Sequence, residues 1–399
     1  MANKLFCRAY QKVMKIGTML LPWKFPTIVS GAGSIKKLPA IVKNNGVNNV
    51  LIVTDTGLVK LGLLNSLYEG LEAVDVKYTV FDGVQPNPTI DNIEDARKMY
   101  LDNKCEGFIA FGGGSPMDCA KVTAARIVRP NKTIPELRGQ LKVLRKIPPF
   151  FAVPTTAGTG SETTIAAVVS NPKTHEKNAI NDICLLPDYA ILDPELTIGL
   201  PKHITSTTGM DALTHAVEAY IGQSNTKNTE EKAKEATALI FKYLKRAYDD
   251  GKDIEAREKM LLASHYAGIA FTRAYVGYVH AIAHNLGGTY GTPHGLANAV
   301  ILPYVLDYFG ESAYKRLADL ADVVGIKADG TIEGKAKAFI AEIRAMNEYM
   351  GIPKGFDFIQ EKDIPTIVER ALKEANPLYP VPKIMDEKDC EGVIRNLMI

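Results

Sequence analysis

Cysteine is scarce and unpatterned in this chain. Its five cysteines, Cys7, Cys105, Cys119, Cys184 and Cys390, are scattered through 399 residues with no CxxC pair. A sparse, odd count argues against a disulfide framework and for a reducing compartment, the cytoplasm. Charge of one sign is missing as well. The formal net charge is +2, which offers no electrostatic footprint for nucleic acid. Long apolar runs are also absent. The N-terminal stretch IGTMLLPW (16–23) is too short for a signal-peptide core and far too short to span a bilayer, so no membrane partner is expected. The basic, partly apolar arm through about residue 23 is expected to pack as a helix on the body or on a second subunit, with a targeting or packaging tag as the other reading. Repeats and low-complexity linkers are lacking too. What the chain does have is 46% hydrophobic and 23% charged residues, enough to bury large cores in two domains of ordinary size.

The first half alternates apolar runs with helix-period segments. VLIVTD (50–55), KYTVF (77–81), GFIAFGGG (107–114), PFFAVPTT (149–156) and YAILD (189–193) read as buried strands. DNIEDARKMYLDNK (91–104) and PMDCAKVTAARIV (116–128) read as helices between them. Buried strands alternating with helices predict a doubly wound parallel sheet, a Rossmann-like α/β domain over residues 1–200. After LDPELTIGLP (192–201) the pattern turns helical, with TTGMDALTHAVEAYI, NTEEKAKEATALIFKYLKRAYDD and AREKMLLASHYAGIAF. Residues 201–399 are therefore expected to form an all-α domain.

Two small-residue turns follow strands. GGGSPMD (112–118) places glycines after GFIAF, then Ser115, with Pro116 at a helix N1 position. Such a turn admits phosphate oxygens to backbone N–H groups at a helix N-terminus, although its spacing is neither G-x-G-x-x-G nor a Walker A loop; a plain tight turn is the other reading. PTTAGTGSE (154–162) adds four small hydroxyl residues and two glycines after another strand. Two such loops at strand carboxyl ends fit a nucleotide crevice. Asp55 closes VLIVT. Its carboxylate either accepts from ribose hydroxyls, and so repels a 2′-phosphate, or caps a helix or turn.

Three of the seven histidines fall in VHAIAHNLGGTYGTPHG (279–295). His280 and His284 are four apart and share a helix face. That helix is expected to stop at Gly287-Gly288, with a loop returning to His294. GMDALTH sets Asp211 and His215 four apart on another helix. Three imidazoles and a carboxylate suit a divalent first-row metal with room for a substrate oxygen. Five candidates exceed the need, and one at i+4 from a ligand can instead carry a proton. His175, His203 and His265 are read as ordinary surface or core histidines.

Together these segments resemble the iron-containing (group III) alcohol dehydrogenase family over nearly the whole chain. VTD (53–55), QPNPT (85–89), GGGSPMD, PTTAGTGSE, Lys177 before PDYAILDP, GMDALTH and VHAIAH…PHG carry the likeness. The resemblance implies Asp211, His215, His280 and His294 as metal ligands, with His284 near nicotinamide and substrate. It implies Asn87, Gly113, Gly114, Ser115, Asp118, Thr155, Thr156, Thr159 and Lys177 as cofactor-site residues, and Asp55 at the position favouring NAD over NADP. It also implies Fe(2+), with Zn(2+) the main alternative, and a homodimer or larger assembly. Arg273 departs from the pattern, standing where Asn or another small polar residue is more usual. It either reads an anionic or polyhydroxylated substrate or makes an interdomain or surface salt bridge.

The expected reaction is reversible oxidation of a small alcohol to its aldehyde or ketone with NAD(H), with His284 on the proton path. The rivals are a glycerol dehydrogenase or dehydroquinate-synthase-like enzyme on the same architecture and a noncatalytic nucleotide or metal sensor. The 14-residue interval from His280 to His294, with His284 between, favours the alcohol dehydrogenase branch. A structural metal site would be closed and often rich in thiolate, and no cysteine lies near this set.

Overall fold

The computed structural model describes residues 4–170 and 177–399, so His175 lies outside the described residues. Nine strands occur among the described residues: β1 (Thr27–Ser30), β2 (Asn49–Val53), β3 (Lys77–Phe81), β4 (Gly107–Gly112), β5 (Gly139–Gln140), β6 (Phe150–Pro154), β7 (Ala166–Ser170), β8 (Lys177–Asn181) and β9 (Tyr189–Leu192). Six form one sheet in the order β1-β9-β6-β4-β2-β3, with every pairing parallel. The alternation of side chains explains why β4 and β6 are wholly buried. Leu51, Phe108, Ala110, Phe150 and Ala152 enter one core, while Val50, Ile52, Ile109, Phe111, Phe151 and Val153 enter the other. Helices cover both faces, as a parallel sheet requires.

The five apolar runs correspond to β2, β3, β4, β6 and β9. Four strands fall outside those runs. β1 is short and largely exposed. β5, β7 and β8 build a separate small sheet in the order β5-β8-β7, with β7 and β8 antiparallel. β8 reads KNAIN, too polar to stand out by apolar periodicity.

Two compact units divide the chain. One is Pro22–Gly199; the other joins Leu200–Ile399 to the N-terminal residues through Leu21. Residues 4–21 therefore belong with the helical half, whereas the sequence reading places the arm with the α/β half. The helix Lys4–Met19 explains this. Arg8 donates to the carbonyls of Val381 and Pro382 at 2.7 and 2.9 Å, and Gln11 Nε2 donates to those of Pro377 and Tyr379 at 3.1 and 2.8 Å. Proline-interrupted segments leave carbonyls outside any helix or sheet ladder, and the arm supplies their donors.

Beyond β9 the described residues contain helices but no named strand, and none of those helices is long and apolar enough to cross a membrane. Two helix ends differ from the sequence reading. The helix carrying His280 runs Tyr278–Tyr290 and ends on Gly291, whose φ of 70° is left-handed. Gly287 and Gly288 are carried inside it, since an interior glycine costs only about 1 kcal/mol, and Gly291 supplies the stop. The helix after β4 runs Gly114–Val128 with Gly113 as N-cap, so Pro116 sits in its first turn but not at N1.

Lys121 on that helix is fully buried. Its ammonium reaches the carbonyls of Ser161, Thr164 and Ala166 at 2.6, 2.8 and 3.1 Å, and the hydroxyls of Ser161 and Thr164 at 3.2 and 3.1 Å. Burial pushes its pKa down to about 8, yet these oxygens keep the charge compensated. The lysine thereby ties the 161–166 segment to the helix. We expect Lys121→Met to lower unfolding stability by about 3 kcal/mol, because several buried acceptors lose their donor together. Urea unfolding followed by circular dichroism tests this, and an unchanged midpoint would count against it.

Candidate metal centre and nucleotide site

The chain leaves β2 to form β3 on one side, then returns to place β4 on the other. The carboxyl ends of β2 and β4 thus flank a topological switch point, where open α/β sheets bind ligands. Asp55 lies just beyond β2, Gly112 ends β4 with Gly113 and Gly114 directly after it, and Thr155 and Thr156 follow β6. The Thr155 N–H donates to the Gly112 carbonyl at 3.0 Å. A Cβ on Gly113 would lie 3.3 Å from Thr156 Oγ1, and one on Gly114 would lie 3.0 Å from Thr159 Cγ2. A larger residue there would push on these threonine side chains, because the 154–160 loop lies directly on the turn. Gly113 provides no side-chain cap for the helix it starts, so the first-turn N–H groups suit an anionic ligand.

Three further expected residues converge beside this turn. Ser115 Oγ accepts the Asn87 N–H at 3.2 Å, and Lys177 Nζ donates to Asn87 Oδ1 at 3.4 Å. Asp55 realises the capping alternative: its Oδ1 accepts the Leu58 N–H at 3.0 Å, which orients the carboxylate at the end of β2. Asp118 serves the loop from within. One carboxylate oxygen accepts from Ser161 Oγ at 3.2 Å and the other from the Val168 N–H at 3.0 Å. Burial raises its carboxyl to about 6, and both oxygens are engaged by the protein itself.

In the helical unit, Asp211, His215, His280 and His294 each offer a donor atom, and the four atoms lie within 4.8 Å of one another. Asp211 and His215 lie on the helix Lys202–Ile221. His294 begins the helix His294–Phe309, which can approach because residue 295 is glycine. A Cβ there would sit 2.5 Å from the Thr207 carbonyl oxygen. His294 Nε2 lies 3.4 Å from Asp211 Oδ1, and His280 Nε2 lies 3.9 Å from the same oxygen. Asn298 Nδ2 donates to Asp211 Oδ1 at 2.6 Å and lies 3.1 Å from His294 Nε2.

Glu218 sets His280. Its Oε2 lies 2.6 Å from His280 Nδ1, and it accepts the N–H groups of Gly277 and Val279 at 2.9 and 2.8 Å. The Nδ1 proton then points at the carboxylate, and the Nε2 lone pair faces the other donors, the arrangement of a metal-ligating histidine. His280 Nε2 is buried and has no hydrogen-bond partner among the described residues. Burial pushes its pKa well below the usual histidine value, so the ring is neutral and able to ligate. Burial also raises the carboxyls of Asp211 and Glu218 to about 7; a cation among the donors would offset that desolvation. An orphaned ring nitrogen within a three-histidine, one-carboxylate set fits a divalent metal.

His284 falls outside the four-donor set. Its ring lies 6.0 Å from that of His280 and stacks 5.1 Å from that of His294, while Nδ1 lies 2.7 Å from Glu374 Oε1. Arg273 lies in the last turn of the helix Ile254–Ala274, partly buried, with its pKa lowered by desolvation. His265 is a buried core residue and His203 an exposed one in the first turn of its helix. Sequence reasoning missed Glu218, Asn298 and Glu374. Glu218 is three residues after His215 and Asn298 four after His294, so helical spacing could have flagged both. No local signal links Glu374 to His284, 90 residues away.

Comparison with known proteins agrees with this geometry. The family model "Iron-containing alcohol dehydrogenase" matches residues 26–194, and "Fe-containing alcohol dehydrogenase family, C-terminal" matches 205–398. The chain is 38% identical over 359 residues to alcohol dehydrogenase 4 of Schizosaccharomyces pombe, covering 88% of this chain and 83% of that protein. It is 33% identical over 377 residues to the NAD-dependent methanol dehydrogenase of Bacillus methanolicus, covering 94% and 98%. A crystal structure of 1,3-propanediol oxidoreductase superposes with a TM-score of 0.91 at 36% identity, covering 95% of this chain and all of that one. The α/β sheet with its two glycine-dependent turns and the four-donor cluster on three helices are thus those of an oxidoreductase: this chain belongs to the iron-containing alcohol dehydrogenase family.

Proposed function

We propose that this enzyme interconverts a small primary alcohol and its aldehyde with NAD(H), using a divalent metal held by Asp211, His215, His280 and His294. The observation that carries the reading is the convergence of those four donors around the unpartnered Nε2 of His280. A metal there supplies a Lewis acid toward the substrate oxygen, and a bound nicotinamide supplies the hydride carrier. Family membership favours iron; the donor set also accommodates zinc, nickel or manganese. The N–H groups at the start of the Gly114–Val128 helix, with Ser115, Thr155, Thr156 and Thr159, would receive the cofactor phosphates. Asn87 and Lys177 would complete that pocket, Asp118 would keep its loop in shape, and Asp55 would accept from a ribose and disfavour a 2′-phosphate. His284 donates its Nδ1 proton to Glu374, which leaves Nε2 to take or return the hydroxyl proton. The five free thiols suit a reducing cytoplasm, and the family likeness suits a homodimer or larger assembly.

Anaerobic purification, elemental analysis and NADH oxidation at 340 nm with a panel of aldehydes test the reading. We expect about one iron or zinc per chain, and we expect His280→Ala to lose both metal and turnover. Metal with no turnover on any aldehyde or alcohol would move the assignment to a lyase or a sensor. Glu218→Ala should weaken metal retention roughly 10- to 100-fold, the usual effect of removing a partner that orients a ligand; wild-type affinity in a chelator competition would contradict that role. His284→Ala should reduce kcat while metal content stays at the wild-type level; full metal loss would make His284 a ligand. Asp55→Ala should lower the KM for NADPH relative to that for NADH, and an unchanged ratio would remove Asp55 from cofactor choice.

A further inference from the structure

Glu374 stands at the end of the helix Ile364–Ala375, remote in sequence from every donor described above. Its Oε1 receives two groups, His284 Nδ1 at 2.7 Å and the Tyr379 hydroxyl at 3.0 Å. We infer that Glu374 is a positioning residue for His284, and that Tyr379 and the N-terminal helix hold Glu374 in place. The inference rests on the reading that His284 moves the substrate proton.

The chemistry of the three groups gives the arrangement a direction. An ionised carboxylate only accepts hydrogen bonds. Glu374 therefore selects the His284 tautomer with the proton on Nδ1 and leaves Nε2 as the acceptor. Burial raises the Tyr379 phenol well above its usual pKa, so the phenol remains a donor and fixes the same carboxylate oxygen that His284 meets. A base oriented by a third group is the recurrent solution where one imidazole must present one nitrogen. The His284 and Glu374 side chains are 22% and 30% exposed. Solvent therefore screens their charges, and the effect argued here is orientation more than charge stabilisation.

Support for Tyr379 comes from far away in the chain. Residues 376–382 read NPLYPVP; their prolines end the helix, and the Tyr379 N–H keeps one bond back to the Ala375 carbonyl at 2.7 Å. Gln11 Nε2 donates to the carbonyl of Tyr379 itself at 2.8 Å and to that of Pro377 at 3.1 Å. Arg8 secures the Val381 and Pro382 carbonyls, and the Gln223 N–H donates to that of Pro380 at 2.7 Å. Tyr278, two residues before His280, donates its hydroxyl to Asn376 Oδ1 at 3.0 Å. The docked side of the N-terminal helix thus braces the segment that braces the carboxylate behind His284.

The test uses the full-length chain and compares Glu374→Ala, Glu374→Gln, Tyr379→Phe and the double variant Arg8→Ala/Gln11→Ala with wild type. We expect Glu374→Ala to lower kcat by about tenfold to a hundredfold, with bound metal and the KM for NADH unchanged. Glu374→Gln keeps an acceptor oxygen for Nδ1–H and should stay within about threefold of wild type. Tyr379→Phe and the double variant should show smaller losses of the same kind. A second readout does not depend on turnover: long-range ¹H–¹⁵N spectra of histidine-labelled, zinc-loaded protein report the tautomer of each ring. The His284 signals, assigned by their loss in His284→Gln, should show the Nδ1–H form in wild type and Glu374→Gln and lose it in Glu374→Ala. Wild-type kcat in Glu374→Ala, metal lost in step with activity, Glu374→Gln as impaired as Glu374→Ala, or an Nε2–H tautomer in wild type would each overturn the inference. Failure of wild type to oxidise NADH with any aldehyde would instead defeat the proposed reaction, while the tautomer would still report on Glu374.

Discussion

A buried carboxylate that must find all its hydrogen bonds inside the protein organises the helical unit. Glu218 accepts from two backbone N–H groups and one imidazole, which offsets part of the cost of removing its charge from water. Those bonds dictate the local chain. A Cβ on residue 277 would fall 2.7 Å from Glu218 Oε1, so a larger residue there would have to displace the carboxylate. Tyr275, two residues earlier, adopts a φ of 67°, backbone strain of a few kcal/mol at most that the surrounding contacts sustain. The next helix can then begin at Tyr278 and bring His280 beside Asp211 and His215.

The two candidate sites solve different recognition problems. Donors to a metal must hold their positions to within tenths of an ångström, and here they lie on packed helices whose approach is allowed by Gly295. A dinucleotide is long and largely recognised by backbone, so its candidate residues sit on turns after parallel strands. Those turns are still not loose. Lys121 and Asp118 hold the second turn from beneath, and the side chains of Thr156 and Thr159 press on Gly113 and Gly114.

Much of this was legible because its signal is local. Apolar runs such as GFIAF announce strands buried on both faces, and the spacings Asp211–His215 and His280–His284 announce shared helix faces. The small sheet escaped because β5 has two residues and β8 is largely polar. The end of the His280 helix was misplaced because a glycine inside a helix and a glycine ending one look alike in sequence; only the left-handed φ of Gly291 tells them apart. Asp55 had two readings; the observed cap realises one of them and leaves the carboxylate at the carboxyl end of β2.

The sequence by itself determined the alternation of elements, the division near residue 200, the residue types of the donor set and the family resemblance, since each depends on residues close together or on ordered motifs. Tertiary structure decided the rest. It separated four converging donors from His284, gave Glu218 and Glu374 to two different histidines, and moved the N-terminal helix to the helical unit. Those outcomes depend on groups 62 to 373 residues apart meeting in space, and no periodicity or spacing along the chain encodes a distance across the fold.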